Sequence, residues 1–310
     1  MTIQTVNNII QANNLGMIDA HVHAWAKIKN HITEKIIPEV DDFQLIRENL
    51  LDFKKSGGSL VVDCTPYGCG RDGNKLYGLS IETGVEIVCV TGFHRREYYF
   101  SNPGIWDLNL EEATSFFRQE ITEGLKETLN MGRSIKPGLI KIPFLGSLEG
   151  AYKILTDAAI FAATQTGIPL LIHTEQGLSV EWFSDYLEEN AVKPQRVVLS
   201  HMDKRPDIKL HEKLAAKGYY LEYDTFLREK YNPEKYTYNL IDSMAKSGFG
   251  DSIMVGSDIF DNKMWEDIKT GTGYGGFFTK LNQRLLTKYS DHDTSLNIMR
   301  RNAIRFLSMK

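Results

Sequence analysis

Short apolar runs, most of them without strict alternation of polar and apolar positions, recur along the chain between stretches whose apolar positions fall at helical spacing. The first run is M-I-D-A-H-V-H, from Met17 to His23, after a polar lead-in over 1–15 whose V-N-N-I-I suggests a capping turn or short strand. From Asp42 to Lys55 the pattern sets Phe43, Ile46, Leu50 and Phe53 on one helical face, and Ser56-Gly57-Gly58 ends it. S-L-V-V-D-C-T then reads as a second strand, E-I-V-C-V-T-G as a third and P-G-L-I-K-I-P as a fourth. I-P-L-L-I-H-T, R-V-V-L-S-H, G-Y-Y-L-E-Y-D and D-S-I-M-V-G-S-D follow as the fifth to the eighth. Helical stretches separate them, one ending at Thr83-Gly84 and a long amphipathic one running from about Leu110 to Met131. Apolar runs of this kind are strands buried on both faces, as in a parallel sheet. Eight of them, with helical segments between and a closing helix to Lys310, predict an α/β fold: a (β/α)8 TIM barrel forming a single domain over 1–310. No internal repeat or low-complexity linker divides it.

Composition agrees and excludes some functions. A chain of 310 residues, 42% hydrophobic, can bury one large core. Its 36 Lys and Arg against 40 Asp and Glu give a formal charge of -4 with no basic run, so a nucleic-acid partner is not expected. The three cysteines, Cys64, Cys69 and Cys89, lack CxxC spacing and argue for a reducing compartment over a disulfide framework. Residues 1–15 show neither the basic start nor the apolar centre of a signal peptide, and no apolar run nears the roughly 20 residues of a membrane span. The expectation is a cytoplasmic protein with no membrane partner. A homodimer is compatible with these features, which do not fix the oligomeric state. Gly68-x-Gly70 lacks the third glycine of a dinucleotide fingerprint and carries no argument for one.

Chemistry collects at the carboxyl ends of the predicted strands, where such barrels place reactive residues. His21 and His23 end the first strand, two apart and so on one face. Lys141 lies on the fourth, His173 on the fifth, His201 on the sixth and Asp258 after the eighth. Each alone has a bland explanation: surface or hydrogen-bonded core histidines, a lysine paired with a carboxylate, and an aspartate capping a helix that begins S-D-I-F. Those explanations do not account for four of the chain's eight histidines meeting one lysine and one aspartate at the same end of five strands. Imidazoles and a carboxylate are ligands for divalent metals. A buried lysine amine beside cations is driven neutral and can add carbon dioxide, giving an anionic carbamate able to bridge two ions. The set then divides into His21, His23 and Asp258 on one ion and His173 and His201 on the other, with carboxylated Lys141 and a hydroxide between. Two ions roughly 3.5 to 4 Å apart lower the pKa of a shared water toward about 7. Zinc is the expected metal, and manganese, cobalt and iron also suit imidazole.

These residues resemble the phosphotriesterase family of the amidohydrolase superfamily over nearly the whole chain. The resemblance rests on H-V-H at 21–23, V-V-D-C-T-P-Y-G-C-G-R-D at 61–72, I-V-C-V-T-G-F-H at 87–94 and L-I-K-I at 139–142. It continues in I-H-T at 172–174, L-S-H-M-D at 199–203, G-S-D at 256–258 and N-A-I-R-F-L at 302–307. It implies a binuclear site with a carboxylated lysine, matching Lys141, and a catalytic aspartate, matching Asp258, that shuttles a proton from the bridging hydroxide. Members hydrolyse organophosphate triesters, acyl-homoserine lactones or phosphorylated sugar lactones. Y-D-T-F-L-R-E-K-Y-N-P-E, at 223–234, looks like the last group. Arg228, Lys230 and Tyr231 there can bind a substrate phosphate through guanidinium, ammonium and phenol, unless the stretch is a solvated helix start. The loop H-R-R-E-Y-Y at 94–99 offers Tyr98 or Arg95 instead. K-R-P-D at 204–207, where the family usually has R-N-P-D, and N-A at 302–303, where it usually has N-P, depart from the pattern. The expectation is a metal-dependent lactonase acting on a small-molecule sugar lactone. Phosphoester or amide hydrolysis at the same site is the nearest alternative, and a non-catalytic barrel binding a phosphorylated ligand is a different one.

Overall fold

The computed structural model of the chain describes residues 1–27, 39–99, 103–129, 132–289 and 292–309. A hairpin of β1 (Thr2–Gln4) and β2 (Ile9–Gln11) forms the lead-in. Parallel strands follow: β3 (Met17–Val22), β4 (Gly58–Asp63), a third stave interrupted at Cys89 into β5 (Glu86–Val88) and β6 (Val90–Gly92), and β7 (Leu139–Phe144). After them come β8 (Leu170–Thr174), β9 (Val197–Ser200), β10 (Tyr220–Tyr223) and β11 (Ile253–Val255). β3 pairs with β4 and β4 with β5, while β6 to β11 pair in chain order. The ring closes between the last stave and the first, where Asp258 N donates to His21 O at 2.8 Å and His23 N to Ile259 O at 2.8 Å. The eight staves of the expected barrel are therefore present, and these two bonds join the last to the first.

Local sequence sets the helices that wrap it. Asp42 caps α1 (Phe43–Lys55) by accepting from Leu45 N, and Asp72 caps α2 (Gly73–Thr83), which stops on Gly84 in the left-handed region. α4 (Gly150–Thr166), α5 (Val180–Glu189), α6 (Ile208–Lys217) and α7 (Thr237–Lys246) fill the later crossovers. α3 is shorter than its sequence pattern: it spans Leu110–Thr122, and Gly124 at φ 132 turns the chain so that Leu125 N bonds Ile135 O. Met131, residues 100–102 of the basic and aromatic loop, and Lys310 lie outside the described residues. Four helices follow the eighth stave among the described residues, α8 (Asn262–Thr270), α9 (Tyr274–Lys288), α10 (His292–Leu296) and α11 (Asn302–Leu307), instead of one closing helix. Asp261, not Asp258, caps α8.

Two apolar layers position the site. One lies between staves and helices; the other fills the barrel interior with Leu60, Val62, Val88, Val90, Leu139, Leu171, Val198 and Met254, closed below by Phe306 and Leu307. Side chains alternate along a strand, so the face that buries Leu139 and Leu171 presents Lys141 and His173 two residues further on. Gly92 is required beside them. At φ +103, a Cβ there would stand 2.0 Å from Lys141 O, so only glycine lets β6 approach β7 at this level.

Candidate metal centre

A cavity of about 250 Å3 opens at the carboxyl ends of the staves, and all six residues singled out in the sequence line it: His21, His23, Lys141, His173, His201 and Asp258. A larger hollow of about 550 Å3 beside Tyr67 and Phe116 contains no imidazole. The histidines form a contiguous series, with ring centroids 5.8 Å apart for His23 and His21, 4.9 Å for His21 and His201, and 4.6 Å for His201 and His173. His94, which sequence reasoning did not select, extends the series at 4.7 Å from His173 and is stacked on Tyr98.

Ring orientation is set by neighbouring staves. His21 Nδ1 lies 2.7 Å from Glu222 Oε2, His23 Nδ1 2.7 Å from Thr65 Oγ1, and His201 Nδ1 2.8 Å from Asp224 Oδ2. His201 Nε2 stands 2.9 Å from His173 Nδ1. Beneath them Asp19 accepts from His21 N, Ser257 N, Ser257 Oγ and Tyr274 Oη, tying the first stave to the segment after the eighth. Asp63 accepts from Ala24 N, Trp25 N and Thr65 N, pinning the backbone just past His23. His201 and Asp258 themselves adopt left-handed backbone at φ 63 and 45, a conformation that costs on the order of 1–3 kcal/mol and is concentrated at functional sites.

Burial dominates the electrostatics. It pushes His21 down to about 3 and holds His23, His94, His173 and His201 well below the ordinary imidazole value, so the imidazoles are neutral and able to ligate. It raises Asp19 to about 7, Asp63 to about 6 and Glu222 to about 8. Lys141 is 1% exposed, and its amine has no ion-pair or hydrogen-bond partner among the described residues.

Ligand atoms of His21, His23 and Asp258, and likewise of His21, His201 and Asp224, lie within 4.8 Å of one another, spacing that can hold a metal ion. His21 Nε2 is buried without a hydrogen-bond partner, faces Asp258 Oδ1 at 3.8 Å, and so supplies the kind of orphaned donor a cation satisfies. The nitrogen and carboxylate donor set fits divalent metals.

The expected substrate contacts divide. Tyr98, Arg228 and Tyr231 line the cavity; Lys230 does not. A short turn, Glu229–Tyr231, leaves Lys230 exposed with its amine 5.0 Å from the centre of the Tyr231 ring, while Lys204 reaches the same ring at 5.7 Å and lines the cavity. Arg228 bonds Asp258 O at 3.0 Å and its carboxylate, and Arg95 pairs with Glu175. Lys204 has no carboxylate within ion-pairing distance among the described residues. Glu222 and Asp224 carried a sequence signal that went unused, two acids at alternate positions of an otherwise apolar strand. Asp19 did too, since it precedes His21 and His23 at the same spacing.

Comparison with known proteins agrees. The phosphotriesterase family profile matches residues 1–307. The chain is 29% identical to an N-acetyltaurine hydrolase of Bos taurus, over 86% of this chain and 78% of that one. It is 28% identical to a phospho-furanose lactonase of Mycoplasmopsis synoviae, over 82% and 75%. A lactonase from Listeria monocytogenes superposes with a TM-score of 0.90 at 21% identity, covering 100% of both chains, which shows the shared fold. The chain belongs to the phosphotriesterase family and is a hydrolase of ester or amide bonds.

Proposed function

We propose that the protein is a metal-dependent lactonase acting on a small, anionic sugar lactone, with a phosphate as the anionic group. The observation that carries this reading is one cavity in which neutral imidazoles and Asp258 face Lys204, a cation with no carboxylate partner among the described residues. His21, His23 and Asp258 would hold one ion, His173 and His201 the other, and Lys141 both. Zinc suits this donor set, and manganese, cobalt or iron also fit. Bound there, two ions would make a water acidic and polarise the electrophilic carbonyl.

Lys141 would serve as its carbamate. The ammonium gives up one proton, and the amine adds carbon dioxide and gives up a second, so that a buried, unpaired cation is replaced by a carboxylate-like anion. Asp258 takes the proton of the attacking water on its carboxylate and returns it to the alkoxide that leaves as the ring opens. Arg228, bonded to Asp258, orients that carboxylate, so its part in anion binding is secondary to that of Lys204. Tyr231 offers a phenol ring near the Lys204 amine, and Tyr98, stacked on His94, lines the same cavity.

A second reading is favoured by the match to N-acetyltaurine hydrolases, whose substrate joins an amide to a sulfonate. The same cation and the same polarised carbonyl serve both substrates, so assay decides. The metal-loaded protein, offered a phosphorylated furanose lactone, an acyl lactone, an organophosphate triester and N-acetyltaurine, should turn over the phosphorylated lactone fastest. Exclusive amide cleavage would install the second reading, and inactivity on all four with bound metal would remove both.

A further inference from the structure

The strongest unassigned feature is a fully buried acid held against a proposed metal ligand. Glu222 on β10 is 0% exposed; its Oε2 lies 2.7 Å from His21 Nδ1, and its Oε1 has no hydrogen-bond partner among the described residues. Burying a carboxylate carries a desolvation cost, which an amide of the same size avoids while its oxygen still accepts from His21 Nδ1. Thr65 Oγ1 bonds His23 Nδ1 and Asp224 Oδ2 stands 2.8 Å from His201 Nδ1, but Thr65 is uncharged and Asp224 is itself a member of a second candidate ligand set. Glu222 belongs to neither candidate ligand set, and its shortest polar contact is to His21, with the Ser200 hydroxyl as a further neighbour.

A neutral imidazole carries one proton. If that proton is on Nδ1, shared with Glu222 Oε2, the lone pair of Nε2 points to the cavity; if it is on Nε2, His21 cannot ligate. His21 Nε2 is buried without a partner, which matches the first arrangement. We propose that Glu222 is a positioning residue for the metal centre, selecting the ligating tautomer of His21 at the expense of the stability of the metal-free protein. This rests on the metal-centre reading above.

The test compares wild type, Glu222→Gln and Glu222→Leu, each stripped with chelator and titrated with Zn2+ alone in competition with a chromophoric chelator. Thermal unfolding is recorded for the metal-free and zinc-loaded forms. Wild type should bind zinc; Glu222→Gln should bind the ion held by His21 about 10-fold more weakly, and Glu222→Leu up to about 100-fold. Metal-free Glu222→Gln, which keeps an acceptor for His21 Nδ1, should unfold at the same temperature as metal-free wild type or above it. A residue that merely supports the barrel gives the opposite result, a metal-free variant that melts lower with zinc affinity unchanged. That result, or unchanged affinity with any melting behaviour, overturns the proposal. Failure of wild type itself to bind zinc would instead remove the metal-centre reading, which keeps the two failures apart. Should Glu222→Leu not fold, the Gln variant, which preserves volume, decides alone.

Discussion

In the proposed reaction Asp258 and Lys204 have separate roles, and each side chain can be replaced without the other. Replacing Asp258 by Asn keeps its size and backbone but removes its basicity, so turnover should fall by about 10²- to 10⁴-fold while metal analysis still finds bound ions. Turnover within a few-fold of wild type would strip Asp258 of its proposed role. Lys204→Ala loses a charge-assisted contact worth about 1.5–3 kcal/mol, so KM for a phosphorylated lactone should rise about 10- to 100-fold while an uncharged lactone is hydrolysed as before. An equal loss on both substrates would mean that Lys204 does not read the anion. The six residues proposed as ligands were legible because each falls at the end of an apolar strand. Lys204 was visible only as a departure from a familiar motif, since its inward aim depends on the turn Met202–Lys204 that follows His201. His94 was illegible for a related reason: one histidine in a loop has no partner in sequence, and its partners Tyr98 and His173 arrive through stacking and the barrel.

At the scale of elements, strands were easier to read than helix ends. Buried parallel strands announce themselves as apolar runs, whereas α3 stops at Thr122 because Glu120 is drawn to buried Arg71 and Gly124 turns the chain, neither of which affects hydrophobic spacing. α6 holds a different kind of hidden information. His211 on its inner face is 0% exposed, bonds the Tyr223 hydroxyl at 2.8 Å, and is lowered by burial to about 4 from 6.5. Between those values the unfolded chain binds a proton that the folded one refuses, so stability is complete above pH 6.5 and declines as pH falls toward 4. In metal-free protein, urea denaturation of His211→Phe should show a stability difference between pH 7 and pH 5 about 2 kcal/mol smaller than that of wild type. An unchanged difference would place the titration elsewhere.

For the whole molecule, the ions proposed for the cavity would act as structural ligands as well as reagents. Binding to the folded state alone stabilises it by about 4 kcal/mol per ion at a thousandfold excess over Kd, so chelation should lower Tm by on the order of 5–10 °C, reversibly on adding zinc. A Tm indifferent to chelator would argue that the donors never gather an ion. The effect is expected to be global because of how the ring is fastened. Its seam is the pair of hydrogen bonds from Asp258 N to His21 O and from His23 N to Ile259 O, with Asp19 clamping both sides. The clasp of the cylinder and the proposed ligand set thus share Asp258, and a ribosome-bound chain that has not yet extruded residues beyond Val255 lacks that ligand and both seam bonds. Closure of the cylinder and completion of the proposed ligand set therefore coincide, when the segment after the eighth stave emerges.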